Sequence, residues 1–412
     1  MKVCVVGSGG REHALARTLA RSASEVVVTP GNAGIPGSTP APPEEIEADL
    51  FVIGPEQPLA EGMADRLRGR GRLVFGPGAD GARLESSKAW MKALLDSARI
   101  PTARHGVFDA VEPAVAFLDG LGGPYVVKTD GLAAGKGVLV TDDRAEAVAD
   151  VESKLSGRGF GEAGLTVVIE EGLSGAEVSL MAVCDGSRLA VLPASQDHKR
   201  LGDGDAGPNT GGMGAYSPVP FLAPALVSEV TETCIEPTLA ALAAQGIDYR
   251  GVLYAGLMLT PDGPRVLEFN ARFGDPETQV VLPRLDGDVA SFLAAAAGGE
   301  LGAAPEPAAA AGACVTVVMA SEGYPASPRV GDRILGIEAA EALPGVSVFC
   351  AGVASGPGGS LVTGGGRVLN VTAVGDSVAE ASARAYAGVD RISFTGAQYR
   401  TDIGAQAVAA GR

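Results

Sequence analysis

Hydrophobic and polar residues alternate most clearly within residues 265–279, RVLEFNARFGDPETQ. In the LEFNARF portion every second residue is apolar, which predicts a strand with one face for a core and one polar face. The polar face carries Glu268, Asn270 and Arg272. Carboxylate and amide oxygens two positions apart suit a magnesium ion that carries a polyphosphate, and a guanidinium fork suits a carboxylate or phosphate. Alternation alone also allows an ordinary half-exposed strand.

Apolar runs separated by glycine-rich turns predict the elements of the first 85 residues. Strands that alternate with helices favour a small doubly wound domain with a parallel sheet. The predicted strands cover 2–6, 25–29, 49–53 and 73–75, and a predicted helix covers 14–20. A second predicted helix begins after Ser86 or Ser87, either of which can cap it, and ends at residue 98.

The rest of the chain predicts two more units, so that the fold class is multidomain, α/β and α+β. Residues 298–312 are rich in Ala, Gly and Pro and indicate a linker. We expect domains at 1–85, 86–300 and 313–412, with 301–312 as the linker. The predicted strands cover 125–129, 137–140, 167–169, 251–259, 313–319, 346–350 and 367–374, and the predicted helices cover 225–245 and 378–391.

Composition narrows the functional classes. A chain of 412 residues is too long for one core, and its formal net charge of −17 argues against a nucleic-acid partner. The five cysteines show no metal-ligand spacing, which indicates reduced thiols in a cytoplasmic protein. No apolar run predicts a membrane span. We expect a monomer that acts on small molecules.

A glycine turn follows the first predicted strand. A strand, a turn with Gly9 and Gly10, and a helix present backbone N–H groups and a helix dipole to a phosphate. The second strand ends in PGNAG, without the acidic residue that a dinucleotide ribose requires, so a smaller phosphorylated ligand is favoured over a nicotinamide cofactor. Asn32 lies in that segment. Glu56 follows the third strand at the same sheet edge and could meet the sugar of this ligand, although a plain proline turn is the alternative.

Two segments have the composition of a nucleotide site. Lys128 ends a strand with apolar neighbours and needs a partner, and it precedes the loop DGLAAGKGV. This loop lacks the spacing of a Walker A motif and is better interpreted as a turn between antiparallel strands that folds over phosphates. Downstream, EEGL at 170–173 could offer backbone groups to an adenine edge, and Glu177 could accept from ribose hydroxyls. A hairpin is the alternative for this second segment.

The motifs together resemble the phosphoribosylamine–glycine ligase family, also called glycinamide ribonucleotide synthetases, within the ATP-grasp group. The resemblance covers nearly the whole chain in order. It rests on SGGREHA at 8–14, PGNAG at 30–34, GPEQPL at 54–59, DGLAAGKGV at 130–138, SQDHKR at 195–200, GPNTGGMGAYSP at 207–218 and EFNARFGDPETQ at 268–279.

The resemblance implies ATP-dependent joining of glycine to 5-phosphoribosylamine through a glycyl phosphate, a step of purine biosynthesis. It implies an ATP-grasp core at 86–300 with a mobile lid at about 110–190. It further implies that ATP and a magnesium or manganese ion are cofactors. The implied site residues are Lys88, Lys128, Gly131, Gly135, Lys136 and Gly137 for the phosphates, Glu170, Glu171 and Leu173 for adenine, Glu177 for ribose, and Glu268 and Asn270 for the metal.

Two assignments are hypotheses from the face and sheet-edge arguments, and the assignment of Asp197 is a separate hypothesis. We expect Arg272 to hold the glycine carboxylate and, with Lys128, to act in catalysis. We expect the phosphoribosylamine phosphate at Gly9 and Gly10, with Asn32 and Glu56 nearby. Asp197 is the candidate for the glycine amine.

Two departures from the family pattern stand out. The segment between Gly34 and Gly54 is short, which leaves open whether one βα unit is missing. The strand before the metal pair, at 252–259, contains no acid, which predicts a lean metal site. The competing hypotheses are another ATP-grasp ligase or carboxylase, a nicotinamide-dependent dehydrogenase and a non-catalytic nucleotide-binding module.

Overall fold

The computed structural model of the chain describes residues 1–132, 137–157 and 165–410. The N-terminal unit is a parallel sheet in the order β2-β1-β3-β4, which confirms the predicted doubly wound domain. Its elements are β1 (Lys2–Gly7), α1 (Gly10–Leu19), β2 (Glu25–Pro30), β3 (Leu50–Ile53), α2 (Glu56–Ala60), α3 (Met63–Gly69), β4 (Val74–Phe75) and α4 (Ala79–Ser86).

The connection between β2 and β3 is fully described and contains only a short 3-10 turn, Pro43–Glu45. No βα unit therefore lies in this shortened segment. After α4, helix α5 (Lys88–Ala98) begins where Ser87 Oγ accepts a hydrogen bond from Trp90 N at 3.2 Å. This cap satisfies one free N–H of the first turn, and the expectation of a serine cap is confirmed at Ser87.

A small antiparallel sheet with its own apolar core follows α5, and we call this unit the lid subdomain. Leu118, Val127 and Val151 are fully buried within that core. The predicted lid range of 110–190 extends beyond this sheet. The strand that begins at Ala176 lies within that range but belongs to the sheet of the central region. Its elements are β5 (His105–Phe108), α6 (Val111–Asp119), β6 (Tyr125–Thr129), β7 (Val138–Thr141), α7 (Arg144–Leu155) and β8 (Val167–Glu171), with sheet order β5-β8-β6-β7.

The central region packs a second antiparallel sheet, in the order β10-β9-β15-β16, against helices. The helix predicted at 225–245 has a π-helical segment, Thr231–Ile235, between two α-helical parts. The elements are β9 (Ala176–Asp185), β10 (Leu189–Val191), β11 (Gln196–Asp197), β12 (Arg200–Gly202), β13 (Ala206–Asn209), β14 (Gly214–Ser217), α8 (Pro224–Val230), α9 (Glu236–Ala244), β15 (Arg250–Thr260), β16 (Gly263–Asn270), α10 (Thr278–Val281), β17 (Leu285–Asp286) and α11 (Val289–Gly298).

The C-terminal region is an α+β unit, as expected. Its sheet order is β11-β14-β19-β23-β20, so two short strands of the central region belong to the same sheet. The elements that follow α11 are β18 (Ala308–Ala309), β19 (Ala313–Ala320), α12 (Ile337–Glu341), β20 (Val346–Cys350), β21 (Val353–Ser355), β22 (Leu361–Thr363), β23 (Arg367–Gly375), α13 (Val378–Val389) and α14 (Ala405–Ala410).

A β-bulge interrupts the alternation predicted for β16. Gly256 pairs with Glu268 and Leu257 with Val266, so Leu267 is the extra residue. Leu267 is therefore half-buried and faces the same cavity as Glu268, which corrects its expected place in the core. The strand also ends at Asn270, so that Arg272 lies in the following turn.

The remaining expectations concern cysteines and membranes. All five cysteines are free and buried. Within the described residues, no helix is long and apolar enough to cross a bilayer.

Candidate active site

Two cavities of about 320 and 530 Å³ share lining residues at the junction of the domains. The larger lies between the lid sheet and β9 and β16, and we call it the lid cavity. The smaller borders all three domains, and we call it the interdomain cavity. Asp197, Lys199 and Glu268 line both. A ligand that spans the two cavities would therefore pass these three side chains.

Most of the residues predicted to bind ATP lie together. Gly131 does not line either cavity, but its carbonyl oxygen accepts from Lys88 Nζ at 3.0 Å. Gly135 and Lys136 lie outside the described residues. The lid cavity is lined by Lys128, Glu170, Glu171, Leu173 and Glu177, and the interdomain cavity by Lys88 and Gly137.

Glu170 connects two lysines under the lid cavity. Its carboxylate lies 2.8 Å from Lys128 Nζ and 3.0 Å from Lys92 Nζ. Burial acts to raise the pKa of Glu170, but Lys128 and Lys92 outweigh it and lower that pKa. The sequence argument missed Lys92. Its signal was a lysine between Met91 and Leu94 on a buried helix face, where a cation needs a partner.

A second ion pair, between Glu177 and Lys199, also lines the lid cavity. Glu177 Oε2 lies 2.8 Å from Lys199 Nζ, so the carboxylate expected to meet ribose already has a cationic partner. Asp197 is close to both residues and to Glu277. Burial, together with Glu277 and Glu177, raises the pKa of Asp197 to about 7, with Lys199 acting in the opposite direction. The surroundings of Asp197 therefore favour its protonated form more than water does.

Glu268 and Asn270, the predicted metal pair, both face the interdomain cavity. Burial acts to raise the pKa of Glu268, but Lys199, Lys128 and Lys88 outweigh it and lower that pKa, which keeps the carboxylate ionised. Among the described residues, no group of three or more acidic, histidine or cysteine side chains could hold a metal. One carboxylate and one amide oxygen fit Mg²⁺ that takes its other ligands from phosphates and water.

Arg272 is held by two carboxylates from the N-terminal region. Its Nη2 lies 2.7 Å from Glu85 Oε1 and its Nε 3.2 Å from Glu56 Oε2. It also donates to Asn270 Oδ1 at 3.2 Å and to the Phe273 carbonyl oxygen at 3.3 Å. These bonds use four of the five N–H donors of the guanidinium, and they orient it beside the predicted metal pair. Glu85 was not identified from the sequence.

The two arginines near the Glu56 carboxylate predict that the stability of the protein depends on pH. Burial acts to raise the pKa of Glu56, but Arg272 and Arg11 outweigh it and lower that pKa to about 2 from 4.5. A depressed pKa in the folded state stabilises the protein above pH 4.5, and this contribution disappears as the pH falls towards 2. The free-energy difference between the unmodified protein and Glu56→Gln, from urea unfolding, should therefore be large at pH 7 and shrink below pH 4.5. A difference that stays constant with pH would contradict this.

The structure gives Gly9 and Asn32 partners other than a ligand, and Gly10 lies close to side chains of other segments. Gly9 N donates to Glu12 Oε2 at 2.6 Å, which uses an N–H group that was expected to meet a phosphate. Asn32 Nδ2 donates to the carbonyl oxygens of Ser8 at 2.8 Å and Ala351 at 2.9 Å. None of the three residues lines either cavity.

Gly10 has a packing requirement of its own. A Cβ atom there would lie 2.2 Å from Asn370 Oδ1 and 3.0 Å from Gln279 Nε2. We expect Gly10→Ala to lower the free energy of unfolding by about 1–3 kcal/mol, because both neighbours are buried and overpacking forces them to move. Chemical denaturation measures this. Gly69→Ala is the control, since its added Cβ meets nothing within 4 Å, and an equal effect of the two changes would refute the packing argument.

Arginines from two domains border the interdomain cavity and were missed. Arg367 of β23 lies 2.9 Å from Asp275 Oδ2, and Arg11 of α1 lies 3.9 Å from Glu56 Oε2. Both line the cavity. The sequence signal for Arg367 was an arginine after three glycines at a strand start, which does not reveal its partner.

Two antiparallel sheets that enclose a cavity lined by lysines, beside a carboxylate–amide pair, define an ATP-grasp ligase. Family models described as the N, ATP-grasp (A) and C domains of phosphoribosylglycinamide synthetase match residues 1–85, 86–278 and 314–406. The chain belongs to the phosphoribosylamine–glycine ligase family. This confirms the resemblance found in the sequence.

Relatives of this family align with the chain over nearly its whole length. A phosphoribosylamine–glycine ligase of Caulobacter vibrioides is 49% identical, with 99% of each chain covered, and one of Leifsonia xyli is 48% identical, with 99% and 100% covered. The crystal structure of the Thermotoga maritima phosphoribosylamine–glycine ligase has a TM-score of 0.83 at 38% identity, with 98% and 100% covered. A biotin carboxylase domain from Hydrogenobacter thermophilus shares the fold, with a TM-score of 0.72 at 16% identity and 97% and 91% covered.

Proposed function

We propose that this chain ligates glycine to 5-phosphoribosylamine with ATP, giving glycinamide ribonucleotide, ADP and phosphate through a glycyl phosphate. Family membership supports the reaction, which belongs to purine biosynthesis. The observation that carries the site assignment is Glu268, which lines both cavities and has Asn270 beside it. A metal held there would border the nucleotide on one side and the substrates on the other.

ATP is proposed to occupy the lid cavity. Its adenine would lie against 170–173, its ribose near Glu177, and its phosphates between Lys128 and Lys88. The proposed phosphate loop contains Gly131, Gly135, Lys136 and Gly137. Of these, Gly135 and Lys136 lie outside the described residues. The separate core of the lid subdomain supports movement of this unit over the nucleotide. We propose 1–85, 86–300 and 313–412 as the working domains. The lid expected near 110–190 is proposed to be the lid subdomain, whose last strand is β8 (Val167–Glu171).

Glu268 and Asn270 are proposed to hold Mg²⁺ or Mn²⁺. The bound ion would neutralise charge on the phosphate oxygens during transfer. Lys88 and Lys128 would contribute positive charge from the protein, and Lys199 would add to it at the junction of the cavities. Since no side chain has to form a covalent bond, catalysis would rest on positioning and charge stabilisation.

Glycine is proposed to bind beside Arg272 in the interdomain cavity. Its carboxylate oxygen would attack the γ-phosphorus of ATP, and ADP would leave. The amine of phosphoribosylamine would then attack the carbonyl carbon, phosphate would leave, and the amine would lose a proton. Arg272 has one N–H donor that is not engaged by the described residues, which supports a single hydrogen bond to glycine. Asp197 is proposed to meet the glycine amine.

Phosphoribosylamine is proposed to enter near Glu56, which lines the interdomain cavity. The proposed contribution of Asn32 and Gly9 is indirect, because their bonds fix the loop that follows β1. We also propose a monomer that acts in the cytoplasm without a nucleic-acid or membrane partner. The net charge of −17 supports the exclusion of nucleic acid.

The test is magnesium-dependent ADP release with glycine, with and without phosphoribosylamine generated in the cuvette. Release that requires both substrates supports the ligase. ADP that appears with neither substrate, or never, would refute the substrate assignment and leave another ATP-grasp ligase, or a non-catalytic nucleotide-binding protein, in its place.

A further inference from the structure

A buried bridge of three charged residues lies under the lid cavity, and we call it the lysine bridge: Lys92, Glu170 and Lys128. Glu170 is shared between the two lysines, 3.0 Å from Lys92 Nζ and 2.8 Å from Lys128 Nζ. Lys92 is 0% exposed, Glu170 1% and Lys128 6%. Lys128 and Glu170 line the lid cavity, whereas Lys92 lines neither cavity. Lys92 can therefore influence a ligand only through its neighbours.

The lysine bridge is anchored to the strand that carries the proposed metal pair. Lys92 Nζ donates to Thr102 Oγ1 at 2.7 Å, and Thr102 donates to the Val266 carbonyl oxygen at 2.6 Å. Lys128 Nζ donates to the Leu267 carbonyl oxygen at 3.1 Å. Both lysines are thus fixed to β16 immediately before Glu268.

The charges of the lysine bridge do not cancel. Two ammonium groups and one carboxylate leave one positive charge beside the lid cavity. Without Lys92, Glu170 and Lys128 would neutralise each other, and the cavity would lose that charge. An ammonium has three N–H donors. Lys128 Nζ forms an ion pair with Glu170 Oε1, and its one hydrogen bond among the described residues goes to the Leu267 carbonyl oxygen, so that it can still donate to a ligand.

We propose that Lys92 is a positioning residue for ATP: by sharing Glu170, it preserves the positive charge of Lys128 for the phosphates. This rests on the proposed function, in which Lys128 meets the phosphates. Lys92 is faced by Glu170 of β8, by Lys128 of β6 and by Asp96 of its own helix. Burial lowers the pKa of Lys92 to about 8, while Glu170 acts in the opposite direction. Affinity for ATP should therefore fall as the pH rises through 8, where Lys92 loses its proton.

The experiment measures the dissociation constant of ATP with Mg²⁺ for the full chain by calorimetry. Lys92→Gln keeps a hydrogen-bond donor for Glu170 but removes the charge, and we expect about tenfold weaker ATP binding. In the Glu170→Gln background the same change should cost about twofold or less, because no carboxylate remains to be balanced. The KM for glycine should change by less than about twofold in Lys92→Gln, since Lys92 does not itself line the interdomain cavity.

Lys154→Gln is the matched control. Lys154 is also a buried lysine, paired with Asp150 in the lid subdomain, but it lines neither cavity. Its replacement should reduce stability and leave ATP affinity unchanged. Wild-type ATP affinity in folded Lys92→Gln, or an equal loss with and without Glu170, would overturn the inference.

Two further measurements separate the possible failures. If Lys128→Met binds ATP normally, the proposed phosphate site is wrong and the inference falls with it. If Lys128→Met weakens binding but Lys92→Gln does not, only the inference is wrong. If Lys92→Gln does not fold, the pH profile decides. The fall in ATP affinity near pH 8 must shrink to about twofold or less in Glu170→Gln, where no carboxylate remains to be balanced, and a fall of unchanged size there overturns the inference.

Discussion

Replacing Glu268 by glutamine is expected to lower kcat for ADP release by roughly 10²–10³-fold, the usual loss when one group that stabilises the transferring phosphoryl charge is removed. Glutamine keeps an oxygen at this position but removes the only carboxylate of the proposed metal pair. The Mg²⁺ concentration required for half-maximal rate should rise as well. Steady-state assays over a Mg²⁺ series, repeated with Mn²⁺, measure both effects.

Asp262→Asn is the matched control for Glu268→Gln. Asp262 lies exposed in the turn between β15 and β16, so the same chemical change is made in the same hairpin away from the cavities. We expect near-wild-type activity. If Glu268→Gln has the rate and the Mg²⁺ requirement of Asp262→Asn, Glu268 does not hold the metal.

Replacing Arg272 by lysine is expected to raise the KM for glycine by roughly 10²-fold, while the KM for ATP changes by less than about threefold. Lysine keeps the charge but loses the planar fork that reaches Glu85, Glu56 and Asn270 together. The donor proposed for glycine would be lost or displaced. Initial rates with each substrate varied separately give the two constants.

Arg265→Lys is the matched control, because it makes the same charge-conserving change on β16, the strand that precedes Arg272. Arg265 lines neither cavity, and among the described residues its side chain makes a single, long hydrogen bond of 3.4 Å, to the Thr102 carbonyl oxygen. Both KM values should stay near those of the unmodified protein. Equal increases in the KM for glycine and for ATP in Arg272→Lys would refute the glycine assignment.

Some features of the site were predictable because they depend on short stretches of chain. Lys128, Glu268 and Asn270 are recognisable because each stands in a strand pattern whose apolar neighbours force the polar group to face a cavity. The bulge at Leu267 was not predictable, since it depends on how β15 pairs with β16. The expected phosphate role of Gly10 illustrates the same limit. The sequence shows a glycine turn, but the close approach of Asn370 comes from another domain.

The sequence by itself determined the element types, the family and the order of the chemical motifs. Hydrophobic periodicity and turn-forming residues depend on consecutive positions, so they can be recognised in the sequence alone. Only the tertiary structure decided which charges meet: Lys92 with Glu170, Arg272 with Glu85, and Arg367 with Asp275. A charged residue among apolar neighbours in the sequence indicates that its side chain needs a partner, but the partner lies far along the chain. Which residue fills that place depends on how the domains pack.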